Sequence, residues 1–353
     1  MSLFKMNPVT RKRFMRFRRI KSGWYSFLLL SAMVLVSLAA EYIANHRAIM
    51  VSYEGEFYFP TWTYHSMQEF GQVDDWGFDD VEADYAALQE RLSEPGVEGW
   101  ALMPIIPFDP YLSDFAYDDP PPNAPDGRHW LGTDSQGRDV AARLFYGFRV
   151  SMIFAFSLTL VGYAVGIVVG SLQGFVGGWL DIGVQRFIEI WAAPPFLVVV
   201  IVISSLVPKS GFVMLLGIML LWSWIAITFY MRTEMYREKT KEYCLAARSF
   251  GASKWRLMFK HLLPNCITPV VTFAPFAVIG AVASLTSIDF LGFGIPAPSP
   301  SWGELIEQGR TNMEKPWLVY SPFVALSVTL ALVNLIGQSV REAFDPKQFS
   351  RYR

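Results

Sequence analysis

The sequence predicts an all-α integral membrane protein of six transmembrane helices, with a large acidic insert between the first and the second. Three observations lead there. Hydrophobic residues make up 52% of the 353 and charged ones only 17%, a balance outside that of ordinary soluble domains. The apolar residues gather into runs of about 20, the length that crosses a hydrocarbon core. The formal net charge of −1 hides a segregation of sign along the chain, with basic and acidic stretches alternating between the apolar runs.

Residues 1–23 are basic: Lys5, Arg11, Lys12, Arg13, Arg16, Arg18, Arg19 and Lys21 precede any acid, the first being Glu41. A nucleic-acid-binding arm has this look, but the apolar run 24–44 follows at once, so no nucleic acid is expected. That run is the first span, and its basic flank places the N-terminus in the cytoplasm. Ser37-Leu38-Ala39 imitates a signal-peptide cleavage site. The run is too long for a signal h-region, so an uncleaved anchor is expected.

Residues 45–139 invert the composition. Glu54, Glu56, Asp74, Asp75, Asp79, Asp80, Glu82 and Asp84 stand among many acids, against Arg47, Arg91, Arg128 and Arg138 as the bases. The positive-inside bias puts this insert in the periplasm. Tyr53, Phe57, Tyr58, Phe59, Trp62, Tyr64 and Trp76 supply bulk to fold in part or to lie on a partner. Residues 81–92 have the pattern of a short helix with Tyr85, Leu88 and Leu92 on one side. No D-x-D-x-D-G loop with a closing Glu is present, so the acids do not read as a calcium site. A solvated acidic loop is the expectation, with contact to a soluble partner second. Pro120-Pro121-Pro122 and Pro125 make a stiff linker.

Residues 140–340 hold the other five spans, near 150–171, 184–206, 212–231, 266–288 and 318–337. In the first of these, Gly162, Gly166, Gly170 and Gly174 recur every fourth residue and leave a bare face for close helix approach. Pro194-Pro195 interrupts the next span, and Pro269 and Pro275 are expected to bend the fifth. The chief ionisable residue within the spans is Glu189, where a secondary transporter usually carries groups for ion coupling. The loop 232–264 is basic, and so is the tail 341–353, where Arg341, Lys347, Arg351 and Arg353 oppose Glu342 and Asp345. Both termini are therefore expected inside.

The basic loop reads as two short amphipathic helices. Tyr243, Ala246, Ala247 and Phe250 share one face, Gly251 breaks the helix, and Ser253 is placed to cap the next. Trp255, Met258, Phe259 and Leu262 repeat the spacing before Pro264. Lys239, Lys241, Arg248, Lys254, Arg256 and Lys260 lie outward, so the pair offers a docking surface.

Enzymatic chemistry is missing. No G-x-x-x-x-G-K-[ST] phosphate loop occurs. His46, His65, His129 and His261 are scattered without ligand spacing, so no metal is expected. Cys244 and Cys266 read as buried thiols. Asp134 and Asp139 suggest a hydrolytic carboxylate pair, but nothing resembling an active site surrounds them.

Glu242-Tyr243-Cys244-Leu245-Ala246-Ala247-Arg248, with Gly251 and Leu263-Pro264-Asn265, resembles the cytoplasmic coupling motif of bacterial ABC-importer permeases. Leu245 stands where that motif has its acid and His261 where it has an aliphatic residue. Glu242, three residues earlier, matches the peptide and nickel branch. A second stretch resembles the lead-in of the C-type subunit of dipeptide and oligopeptide permeases: Gly132-Thr133-Asp134, Gly137-Arg138-Asp139, then Arg143, Gly147 and Arg149. The plainer alternative for it is an interfacial helix whose arginines face lipid headgroups. Phe290-Leu291-Gly292-Phe293-Gly294 and Pro300-Ser301-Trp302-Gly303 are similar to the same family, and the length of the insert points to its microcin C and oligopeptide importer branch.

The resemblance implies a type I ABC-importer permease fold in the bacterial inner membrane, surrounded by lipid. It implies a sister permease, one or two cytoplasmic ATPase subunits carrying ATP and Mg, and a periplasmic peptide-binding protein, with no cofactor on this chain. The residues it assigns to ATPase coupling are Glu242, Tyr243, Ala246, Ala247, Arg248, Phe250, Gly251, Trp255, Leu263 and Pro264. The competing class is a polytopic membrane sensor or assembly protein that binds a partner through the insert.

Overall fold

The computed structural model describes residues 8–73, 77–95, 97–207 and 211–344. Lys5, Asp74, Asp75, Trp76, Asp345, Lys347, Arg351 and Arg353, all used in the sequence reading, lie outside the described residues.

Apolar length makes the spans. Among the described residues, five helical stretches are long and apolar enough to cross a membrane: Lys21–Leu38 (α2), Val140–Val176, Phe212–Lys239, Thr268–Phe290 and Trp317–Phe344. A sixth is a pair, Gly178–Ala192 and Phe196–Leu206, bent by 69°. Pro194 and Pro195 sit in that break and cannot continue the donor ladder. We label Pro8–Arg19 α1, Tyr85–Leu92 α3, Val140–Val176 α4, Gly178–Ala192 α5 and Phe196–Leu206 α6. The span Phe212–Lys239 is α7 (Phe212–Ser223) and α8 (Ile225–Lys239) in series. Then follow α9 (Glu242–Ser249), α10 (Lys254–Arg256), α11 (Thr268–Phe290), α12 (Trp302–Thr311) and α13 (Trp317–Phe344).

Three expectations need correction here. The first span ends at Leu38, and Ala40–Tyr42 is a separate 3₁₀ turn, because Glu41 closes the apolar run before residue 44. The second span begins ten residues early, at Val140, since Arg143 and Arg149 of the lead-in are themselves helical. Pro269 does not bend α11: it occupies the first turn, where the missing N–H has no intrahelical partner to lose. Pro275 is the proline inside that helix.

The chain divides into two compact units. The first comprises the residues up to Ala32, Ser151–Pro296 and those from Leu326 on. Within it the glycine ladder of α4 lies on the backbone of α7 and α8. A Cβ at Gly166 would stand 2.5 Å from the Trp224 carbonyl, and one at Gly174 2.6 Å from that of Arg232. Gly162 and Gly170 meet Ser223 and Thr228 in the same way. A four-residue period on one helix thus meets a four-residue period on the other, the ridge geometry of close helix pairs.

The second unit comprises Met33–Val150 and Ala297–Ala325. Here the expected solvated loop is a folded module, which carries three short strands within a mostly helical chain. Strands β1 (Met50–Tyr53), β2 (Glu56–Tyr58) and β3 (Gly99–Leu102) form an antiparallel sheet in the order β2-β1-β3. Helix α3 starts at Tyr85, four residues later than expected, because the Asp84 carboxylate caps it by accepting the N–H groups of Ala86 and Ala87. Its Tyr85, Leu88 and Leu92 pack with Val51, Phe70 and Ala83. Each large apolar side chain so buried contributes roughly 1.5–3 kcal/mol, enough for this small core to hold acidic loops in place.

Candidate functional site: the coupling hairpin and the lead-in network

The α9–α10 hairpin, expected to couple to the ATPase, belongs to the first unit. Lys241, in extended conformation, turns the chain out of α8, and α9 begins at Glu242. It ends at Phe250, and Gly251 follows with φ +81°, left-handed backbone that glycine adopts without strain. The Ser253 hydroxyl accepts the Arg256 N–H at 3.3 Å and starts α10, which continues as a π-helical turn, Leu257–Leu262. The wider turn is where the second expected α-helix departs from regular spacing.

Helical spacing placed Phe250, Trp255 and Phe259 with the buried face, and the structure reverses this. Cys244, Leu257, Met258 and Leu262 are buried with Met231, Met235, Tyr163 and Cys266 in one cluster. Phe250 is 91% exposed, and Trp255 and Phe259 are exposed and stacked with centroids 5.8 Å apart. Ala246 is exposed and Ala247 half-buried. Leu263 is half-buried, and Pro264 is exposed. No atom approaches within 4 Å of a Cβ at Gly251, so that glycine serves conformation rather than space. Burial raises the Cys244 thiol above its usual range, which keeps it protonated and unreactive.

Of two acids that the sequence reading passed over, one holds the hairpin to α8 and the other ties α5 to α8. Glu238 is buried and accepts Lys241 Nζ at 2.5 Å and Tyr243 Oη at 2.7 Å. Burial first, and then this hydrogen bond, push the Tyr243 hydroxyl far above its usual pKa, so it stays a donor. Asp181, at the start of α5, takes Arg232 Nε at 2.5 Å and Nη2 at 2.7 Å, with Tyr236 Oη at 2.7 Å. The two-point Arg–carboxylate pair fixes direction as well as distance. Glu238 was hidden inside a run of bases, and Asp181 inside an apolar run. Glu242 itself is exposed at the first turn of α9, and Arg248 is exposed near its end.

The lead-in motif belongs to the second unit, and its arginines do not face headgroups. Arg138 and Arg143 are fully buried around Asp134. Asp134 Oδ2 receives Arg138 Nη2 at 2.6 Å and lies 3.3 Å from Arg143 Nε. Glu304 on α12 takes Arg138 Nη2 at 2.9 Å and Arg143 Nη2 at 2.6 Å. Arg143 also donates to the Pro110 carbonyl. Gly132 and Gly137 have positive φ, and Thr133 donates to Asn123 Oδ1 at 3.1 Å. A Cβ at Gly147 would meet Trp302 at 2.9 Å, and the Trp302 indole donates to the Leu144 carbonyl. Arg149 pairs with Glu41 at 2.7 Å. Two distant sequence motifs, 132–149 and 300–303, are therefore joined, with Glu304 beside the second, around the buried Arg138 and Arg143.

Asp139 is occupied elsewhere. It accepts the Ala142 N–H, and its other oxygen meets His129 Nδ1 at 2.7 Å. His129 Nε2 reaches Asp114 at 3.1 Å. Burial alone would lower the His129 pKa, but the hydrogen bonds to Asp139 and Asp114 outweigh it and raise the value. Every carboxylate of the suspected hydrolytic pair is thus committed to an arginine or to His129, and neither is poised over a substrate.

The motifs meet known sequences. The family described as "Binding-protein-dependent transport system inner membrane component" matches residues 162–350. The peptidoglycan transport system permease protein YejE of Agrobacterium fabrum is 39% identical over 98% of this chain and 95% of its own length. The inner membrane ABC transporter permease protein YejE of Escherichia coli is 38% identical over 98% and 99%. The oligopeptide transport system permease protein OppC of Bacillus subtilis is 32% identical over 63% and 73%. Among solved structures, a chain of the inward-facing MetNI methionine ABC transporter matches with TM-score 0.48 and 19% identity, covering 57% of this chain and 96% of that one. None of these relatives is described as a sensor. The chain belongs to the binding-protein-dependent transport system inner membrane component family and is a permease subunit of an ABC importer, not itself an enzyme.

Proposed function

We propose that this permease imports peptides or peptide-like compounds, peptidoglycan fragments among them, and that the α9–α10 hairpin is its contact with the ATPase. The observation that carries the coupling role is the one-sided burial of the hairpin. Its inner face is continuous with the span core through Met231, Met235, Cys244, Leu262 and Cys266. Its outer face leaves Phe250, Trp255 and Phe259 to solvent, large aromatics of the kind that anchor interfaces. A push on the outer face is therefore passed to the spans. ATP and Mg belong to the partner ATPase, which closes differently on inward-open and outward-open forms and so shifts their balance.

The substrate class rests on the printed names of the relatives, which include peptidoglycan and oligopeptide permeases. A cavity of about 410 Å³ among the spans, lined by Tyr163, Phe196, Trp222, Tyr230, Phe273 and Phe276, supports it. Aromatic walls with few polar groups accept varied side chains without selecting one. The sister permease would supply the facing wall, and a periplasmic binding protein would select the cargo. The charge bias sets 45–139 in the periplasm, and the hairpin and both termini in the cytoplasm of a bacterial inner membrane.

The test is the purified complex in lipid, assayed for binding-protein-stimulated ATP hydrolysis and peptide uptake. Trp255→Ala and Phe250→Ala should each weaken ATPase co-purification while the permease stays folded. Full co-purification and transport in the double variant would contradict the coupling role.

A further inference from the structure

At the foot of α4 lies a cavity of about 660 Å³ between the last turn of that helix, the end of α8 and the coupling hairpin. Its cations are Lys239, Arg248 and Lys254, and no acid lines it. The neighbouring acids are already engaged: Glu238 with Lys241 and Tyr243, Asp181 with Arg232 and Tyr236. Among the described residues no carboxylate pairs with Arg248 or Lys254. Lys239 is held in place by donating to the Gly174 carbonyl at 2.7 Å, which leaves further N–H donors on its ammonium. Three positive charges converge on the pocket with no carboxylate in its lining, and their mutual repulsion favours an anion there.

The rest of the lining says which anion. Phe175, Val176, Leu245 and Leu257 form an apolar floor, which a bare inorganic ion does not use. Val176 is the last residue of a membrane-spanning helix. Trp179, three residues on, is 88% exposed, as expected of an indole at the headgroup level. A basic, apolar-floored pocket at the edge of a span matches the headgroup and first methylenes of an anionic phospholipid.

We propose that this pocket binds the phosphodiester of an anionic phospholipid, with Arg248, Lys254 and Lys239 around the phosphate and Phe175, Val176 and Leu245 along the chains. The lipid would sit against α9 and α10, inside the same loop that meets the ATPase. The coupling hairpin would then be seated on lipid on one side and on protein on the other.

The experiment uses the whole complex, reconstituted in equal parts of phosphatidylcholine and phosphatidylglycerol, re-extracted in mild detergent, and analysed for retained lipid by mass spectrometry. Wild type should retain phosphatidylglycerol above its bulk share. Each neutralised cation should lower retention about five-fold, and Arg248→Gln with Lys254→Gln about thirty-fold. Arg256→Gln with Lys260→Gln removes the same charge from the hairpin outside the pocket and should change retention little. Equal loss in that second pair would reduce the effect to diffuse attraction and overturn the site. Displacement of the lipid by inorganic phosphate at matched concentration would assign the pocket to a free anion instead. Retention seen only after the ATPase is stripped away would make the pocket an ATPase seat, and would likewise overturn the proposal.

Discussion

The glycine ladder of α4 allows a prediction whose size follows from distances. A Cβ at Gly166 falls 2.5 Å from the Trp224 carbonyl oxygen and 3.1 Å from Thr228 Oγ1. An ordinary carbon–oxygen contact is about 3.4 Å, so α4 must move away from α8 by roughly 1 Å or the helix must bend. Overpacking of this kind costs about 1–3 kcal/mol. Alanine is the better helix former by about 1 kcal/mol, so Gly166→Ala should lower the stability of the chain by the remainder, up to about 2 kcal/mol. Gly183 in α5 and Gly217 in α7 have nothing within 4 Å of a built Cβ and no positive φ, so alanine there should lose nothing. The assay is the thermal midpoint of the purified chain in detergent, with Gly166→Ala and Gly170→Ala beside Gly183→Ala and Gly217→Ala. If the ladder variants melt with the controls, the four-residue match between α4 and α8 is not a packed contact, and the description of the first unit fails.

Further outcomes follow from the same geometry. Gly251→Val should strain the turn at φ +81° by about 1–3 kcal/mol, loosening the hairpin and reducing ATPase co-purification. Gly251→Asn should do less, and equal behaviour would remove the conformational role. Arg143→Ala leaves Glu304 and Asp134 short of a buried partner and should destabilise the second unit by about 3–5 kcal/mol. Arg143→Met combined with Glu304→Leu should recover much of that loss, as judged by denaturant unfolding. The pKa of His129 is raised above its usual 6.5 in the fold. Its stabilising effect is therefore complete below pH 6.5 and lost as pH climbs through the raised value. Melting of the second unit should weaken over that rise, and His129→Gln should flatten the profile. A cysteine at Asp80 should react with an impermeant thiol reagent on intact cells and one at Lys241 should not. The reverse pattern would invert the orientation.

The spans were legible because a bilayer demands about 20 apolar residues regardless of tertiary detail, and α3 because Tyr85, Leu88 and Leu92 recur at helical spacing, although its capped start at Asp84 was not read. The sheet was not. Strands of three and four residues such as Glu56–Tyr58 show too little alternation to stand out from acidic loop. Arg138 and Arg143 carried a family resemblance, but their chemistry needed Glu304, more than 160 positions away, and no local pattern predicts such a partner. Spacing placed Tyr243 and Trp255 on helices correctly, set Phe250 one residue past the end of α9, and misjudged which side is buried, because small Cys244 and Ala247 serve the core while the aromatics are left outside. In a soluble protein such large exposed side chains are rare in a cluster, and here their exposure is what supports a docking role.

The central claim is that the outer face of the hairpin meets the ATPase. A photo-reactive amino acid placed at Phe250, and separately at Glu41 as a control in the second unit, tests it in the assembled complex. The account predicts a cross-link from position 250 to the ATPase chain whose yield changes between nucleotide-free and ATP-trapped states, with none from position 41. A position 250 that labels only lipid or the sister permease in both states would contradict it.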